Sequence, residues 1–168
     1  MVRLVTCNSD QDRTDGAVVE VISSNDACYA TITCTQSVQV STDELLRKRS
    51  SFDYKSEAFT FSGLTMRLRL RCVASSSSEP QVRAFLVLLS SNGTPIHRPL
   101  LASWTTGVSV DSQPMTSFIS EKIVFDREPI NQNDCSVMSR GVEVVNLNDL
   151  TACCESNWLS VQLTLQFN

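Results

Sequence analysis

Histidine occurs once in these 168 residues, and glycine and proline five times each. The single His97 cannot build the usual zinc site unless several cysteines converge, and no nucleophile and orienter accompany it to make a triad. P-loop, GxGxxG and GxSxG motifs are absent, so neither a catalytic residue nor a cofactor is expected. No apolar run approaches the roughly 20 residues that span a bilayer, so no membrane partner is expected. Met1–Thr6 has too short an apolar core for a secretory signal and reads better as a short strand. Heptads are missing too, which leaves oligomeric state open and any self-association to the domain surface. CxxC pairs are also lacking among Cys7, Cys28, Cys34, Cys72, Cys135, Cys153 and Cys154. An odd count without such pairs points to reduced thiols, with a cytoplasmic location as the expectation. Cys34 and Cys72 are in phase with apolar neighbours, as small core residues would be.

What is present suits one globular domain. A chain of this length buries roughly 70% of its unfolded surface and needs no disulfide or metal to supply a core. Hydrophobic residues make up 42% and charged residues 19%, the usual balance for a globular protein. Abundant serine, threonine and valine favour strands and polar turns over helices. The net charge of −4 lacks the basic surplus of a general nucleic-acid binder.

The most regular stretch is Leu64–Cys72, apolar at even positions and polar at odd ones. Side chains alternate faces along a strand, so Leu64, Met66, Leu68, Leu70 and Cys72 are expected to enter a core. The opposite face presents Arg67, Arg69 and Arg71 about 7 Å apart. Tyr29–Val40, Leu100–Val110, Phe118–Asp126 and Leu159–Phe167 repeat the period of two, and Gly141–Leu147 is β-branched. Val82–Leu89 is almost continuously apolar, as a central strand is. Serine-rich and Asn-Gly segments punctuate these runs, and only Thr42–Arg49 and Asn148–Cys154 could form a helical turn. The fold class is therefore all-β, an antiparallel sandwich or barrel. Trp104 has core parity with Leu100 and Ala102, whereas Trp158 lies opposite in phase to Leu159, Val161 and Leu163 and is the better surface candidate. Asp10–Gly16 resembles a calcium loop only in outline, because the third acid is one residue late and the closing glutamate is missing. Asn92-Gly93-Thr94 forms a glycosylation sequon, but Asn-Gly is also a favoured hairpin turn, and the turn is expected.

In order, the strands from about residue 28 onward resemble the MATH domain, the sandwich also found in TRAF proteins. Phe59–Leu70 is similar to the family's F-x-x-G segment and third strand, and Val82–Leu89 to its fourth. Ser139–Leu150 is similar to its penultimate strand and L-x-D-L tail, and Trp158–Phe167 to its closing strand. The chain departs from the pattern at tryptophan positions, where Met66 and Arg140 stand, and Val142 replaces an aromatic. The resemblance implies an eight-stranded sandwich over residues 28–168. Residues 1–27 are then an extension in which Val18–Ile22 could add a strand.

The resemblance also implies a non-enzymatic interaction or scaffold module that binds an extended peptide of a protein partner at a sheet edge. That edge would be Gly141–Leu147, with the third and fourth strands as adjacent floor. In the TRAF branch, an arginine and an aromatic on the third strand help hold an acidic peptide residue, at positions that look like Arg69 and Arg71. The candidate peptide-binding set is Arg67, Arg69, Arg71, Ser139, Arg140, Gly141 and Val142. Guanidinium groups suit an acidic or phosphorylated peptide. The plainer alternative has the arginines solvate an exposed face and pair with acids of a neighbouring strand. Rival classes are a C2-like or jelly-roll sandwich that binds lipid or carbohydrate, and a purely structural assembly domain.

Overall fold

The structure is a computed structural model that describes residues 21–22, 31–75, 78–110, 113–131, 133–152 and 158–167. The expectations at Met1–Thr6, Asp10–Gly16 and residues 18–20, and those for Cys7, Cys28, Cys153 and Cys154, lie outside the described residues. Ten strands and two short helices occur among those described. They are β1 (Val21–Ile22), β2 (Thr31–Ser41), α1 (Thr42–Lys48), β3 (Asp53–Lys55), β4 (Phe59–Phe61), β5 (Leu64–Ser75) and β6 (Ser78–Ser90). Then come β7 (Leu100–Val110), β8 (Gln113–Ile123), β9 (Val142–Asn146), α2 (Leu147–Ala152) and β10 (Trp158–Phe167).

Two antiparallel sheets form an all-β sandwich. One has the order β1-β2-β10-β7-β8, the other β3-β5-β6-β9 with β4 also on β5. Over residues 28–168 the expected eight strands are corrected to nine for one physical reason, and the strand that Val18–Ile22 could add is present as β1. The edge beside β5 is split, with β3 pairing Arg69–Arg71 and β4 pairing Leu64–Met66. Between them, Ser56 turns its hydroxyl to accept from the Leu68 N–H (2.9 Å), so a side chain stands in for the strand backbone. The tenth strand, β1, pairs with β2 through Val21↔Ile32 and Ile22↔Thr31.

The alternating sequences dictate which face is buried. Leu64, Met66, Leu68, Leu70 and Cys72 of β5 meet Leu159, Val161, Leu163 and Leu165 of β10 in one core cluster, all at most 4% exposed. Trp104 is fully buried in the same cluster, and its indole N–H donates to the Glu121 carboxylate across β7–β8 (2.8 Å). Trp158 is half exposed. Cys34 and Cys72 are buried, and loss of solvation pushes both thiols above their ordinary pKa.

Two turns fix the frame. Ser62 and Gly63 both have positive φ (50° and 86°) and close the β4–β5 hairpin at Phe61↔Leu64, the geometry expected of a two-residue turn. Asn92-Gly93 is a turn, with the Thr94 N–H donating to Ser91 O (2.8 Å), but it starts the crossing from β6 to β7 in the other sheet. The expected turn is thus present, as a connection between sheets. Asn92 also donates to Gly63 O (2.7 Å) and Thr65 Oγ1 (3.0 Å), fastening the crossing to the hairpin.

Candidate functional site

β6 carries the second sheet because it is paired on both sides, which is why Val82–Leu89 is so apolar. Phe85, Val87 and Leu89 point away from the main core yet are buried. Along its far edge β6 meets two successive pieces of chain. Residues 137–139 cover its upper part, with Leu88 N donating to Val137 O and Ser139 N donating to Leu86 O (both 2.9 Å). β9 covers the lower part, from Ala84↔Val142 to Gln81↔Asn146, with a register shift at Val82/Arg83. Gly141 joins them at φ +84°, a conformation L residues avoid. A Cβ there would stand 2.3 Å from the Phe85 ring. Among the described residues the sheet ends at β9.

Strand register sets a transverse row of charges on the outer face of this sheet. Asp53 stands opposite Arg71, Arg71 opposite Arg83, and Arg83 opposite Glu143. The two cations are thus nearest neighbours across strands, a repulsive arrangement. Arg69 instead reaches diagonally to Asp53 in a two-pronged pair, Nε to Oδ1 at 2.7 Å and Nη2 to Oδ2 at 2.6 Å. That hydrogen bonding holds the Asp53 carboxyl below its usual pKa and raises Arg69 further. Arg83 donates from Nη2 to the Gly141 carbonyl (3.1 Å). Among the described residues, Arg71 has no ion pair, and the Nε atoms of Arg67 and Arg83 are shielded from solvent without a hydrogen-bond partner.

The seven sequence candidates separate on this geometry. Arg71 and Arg140 are exposed, whereas Arg67 is half-buried. Arg69 is committed to Asp53, as the plainer alternative anticipated for a neighbouring acid. Ser139 is buried, and its hydroxyl accepts from the Leu86 N–H (3.0 Å), so the side chain serves the sheet. Val142 is 6% exposed and packs into the core. Gly141 contributes backbone, gripped by Arg83 and Phe85. Arg83 itself was hidden in sequence as the single charge of an apolar run, and that interruption is the signal that could have revealed it. Phe85 stands opposite Arg69 from β6.

Elsewhere, an open depression of about 450 Å³ is lined by Gly93–His97 and Asp126–Glu128. His97 is exposed. Among the described residues, no three His, Cys, Asp or Glu side chains converge as a metal site. No helix of the described residues is long and apolar enough to cross a membrane. Compared with known proteins, the chain matches no protein-family model, and no curated protein matches it.

Proposed function

We propose that this chain is a non-enzymatic protein-interaction module, a MATH/TRAF-like sandwich that takes an extended acidic or phosphorylated peptide along β9. One observation carries the proposal: among the described residues β9 ends its sheet, with β6 and then β5 beside it. A terminal strand has one ladder filled by its neighbour and the opposite row of N–H and C=O groups open to an added strand. Backbone pairing supplies affinity there, and adjacent side chains supply selection.

Further support comes from the cations near that edge. The Arg71–Arg83 pair has two positive charges face to face, and Arg71 has no ion pair among the described residues. A carboxylate or phosphate between them would relieve the repulsion and match the planar guanidinium forks. Arg140 adds a third cation, exposed like Arg71, just before β9. Arg69, saturated by Asp53, drops out of the recognition role and becomes a support for β3. The partner is a protein in the cytoplasm, and the net charge of −4 disfavours nucleic acid as the alternative.

The test is calorimetric titration with extended peptides that differ only in Glu, phosphoserine or Gln at one position. The charged peptides are expected to bind about tenfold tighter or more, the worth of one charge-assisted hydrogen bond. Arg71→Ala should erase that preference, while Arg69→Ala should retain most of it. Equal affinity for all three peptides, or no effect of Arg71→Ala, would remove the acidic-peptide reading.

A further inference from the structure

A sheet edge is an unfilled half of a hydrogen-bond ladder, and proteins blunt such edges with short strands, bulges, proline or charge. Among the described residues, three of the four sheet ends here are short or irregular. β1 has two residues, β3 and β4 have three each with a side-chain interruption, and β9 has five with a register shift. β8 is different. It runs for 11 residues in unbroken register with β7, from Leu100↔Ile123 to Val110↔Gln113, and pairs with no other described strand. Its blunting residues stand at its ends, Pro114 near one and Glu121-Lys122 near the other. Met115–Ser120 between them contains no charge, proline or glycine. At the midpoint of the strand, Phe118 is 68% exposed.

We propose that β8 pairs antiparallel with β8 of a second copy of this chain, joining two five-stranded sheets into one of ten about a twofold axis at Phe118. A second copy fits because the strand is complementary to itself when centred there. Phe118 then faces the copy's Phe118, an aromatic cross-strand pair. Lys122 faces Pro114 and Glu121 faces Met115, so no like charges oppose one another. Backbone phase agrees. Proline in a sheet sits where its missing N–H would face outward, which puts 114, 116, 118, 120 and 122 on the outward phase. The twofold pairing matches these positions only with each other, 116 with 120 and 118 with 118, as a hydrogen-bonded ladder requires. Such a contact is isologous and closes as a dimer.

The surface around the axis is also permissive. Rows across this sheet read Ser37–Gln162–Thr105–Phe118 and Thr35–Thr164–Ser103–Ser120. Among the described side chains of that outer face, Lys122 is the single charge, so approach of an identical face meets little repulsion. β8 and β9 lie in different sheets, so this pairing and peptide capture at β9 stand or fall independently.

Sedimentation velocity on the chain, from micromolar to near-millimolar concentration, tests the pairing. The mass is expected to double across that range. Phe118→Lys sets two lysines face to face, and Ser120→Pro removes an outward N–H while leaving the bonds to β7. Each should return the mass to that of one chain. Ser37→Lys, which adds the same charge to the same face on distant β2, should leave the doubling intact. If Ser120→Pro fails to fold by circular dichroism, Phe118→Lys decides alone, since it changes an exposed side chain. A mass that never doubles overturns the proposal. So does a dimer that survives Phe118→Lys, or one that Ser37→Lys also dissolves, which would indicate stacking of faces.

Discussion

The outer face of β2, β10 and β7 carries Thr33, Thr35, Ser37, Thr164, Gln162, Ser103 and Thr105, while that of β5 and β6 carries Arg67, Arg69, Arg71 and Arg83. Both sheets bury the same kind of inner face. The neutral face satisfies itself locally, as where the Thr35 and Thr164 hydroxyls meet at 3.2 Å. The cationic face cannot do so, and recruits Asp53 for Arg69 and the Gly141 carbonyl for Arg83. For Arg71 nothing comparable is present among the described residues. Charges that a fold leaves uncompensated cost stability, and that points to the face on which recognition is to be sought.

The sharpest break of this contrast lies under the neutral face. Trp104 and Thr105 are neighbours on β7, one fully buried and one on the surface. Trp104→Ala is expected to cost about 3–5 kcal/mol, since it opens a cavity and leaves Glu121 without its indole donor. Thr105→Ala should stay within about 0.5 kcal/mol. Urea denaturation of both variants measures the difference. A large loss from Thr105→Ala would show that the neutral face contributes stability as well as cover.

Next in size is a matched pair of glycines. Gly141 and Gly93 share positive φ (84° and 79°), so each resists a side chain by about 1–2 kcal/mol. Around Gly93 nothing lies within 4 Å of an added Cβ, whereas at Gly141 the Phe85 ring does. Gly93→Ala should therefore cost about 1 kcal/mol, and Gly141→Ala about 2–4 kcal/mol once overpacking is included. Because Gly141 seats β9 on β6, the second variant should also weaken peptide capture in the calorimetric titration. Equal losses at the two sites would mean that Phe85 yields freely and does not fix the edge.

Much of this was legible beforehand, for reasons that can be named. β5 and β10 alternate without fault, so their inner faces could be read residue by residue. β6 could be read as central from its continuous apolarity, which two-sided pairing and the 137–139 segment now explain. β3 and β4 were invisible, since three-residue strands hold too few side chains to show a period. The Arg69–Asp53 pairing was open only as a class of partner. Its identity depends on the β3–β5 register, which a long-range backbone ladder fixes and Ser56 continues with both its N–H and its hydroxyl on Leu68. The row Asp53–Arg71–Arg83–Glu143 is likewise a product of three registers, and no single segment encodes it.

A smaller effect separates the satisfied arginine from the unsatisfied one. Removing the Arg69–Asp53 pair by Asp53→Asn should cost about 0.5–1 kcal/mol, the upper range for an exposed pair because the geometry is two-pronged. The folded carboxyl lies below its ordinary value of about 3.9. Its contribution is therefore complete above that value and is lost as pH falls through the folded pKa. The wild-type and Asp53→Asn stability curves should accordingly differ at neutral pH and converge in acid. Asp134 is likewise held low, at about 2, by the Ser136 hydroxyl and the Ile130 and Ser136 N–H groups, so an NMR titration has to assign the two carboxyls separately. Persistence of the difference below the folded pKa of Asp53 would show that the substitution acts by something other than charge.

Arg71→Ala is the smallest change in stability and the most telling. Arg71 stands directly opposite Arg83 on one side and Asp53 on the other, with no ion pair to Asp53, so repulsion and attraction nearly offset. Like charges directly opposite are destabilising by a few tenths of a kcal/mol. Deleting one should leave stability unchanged or raise it by up to about 0.5 kcal/mol, where Asp53→Asn lowers it. Salt gives an independent check, because screening weakens the Arg71–Arg83 repulsion. The gain from Arg71→Ala should shrink as ionic strength rises from about 0.01 M to 1 M, a range over which the Debye length falls from 30 Å to 3 Å. A side chain whose removal helps folding yet abolishes the preference for an acidic peptide serves the ligand. If Arg71→Ala instead destabilises the fold as much as Asp53→Asn does, Arg71 is part of the structural ion-pair network, and the cationic face is a solvated sheet like its neutral counterpart.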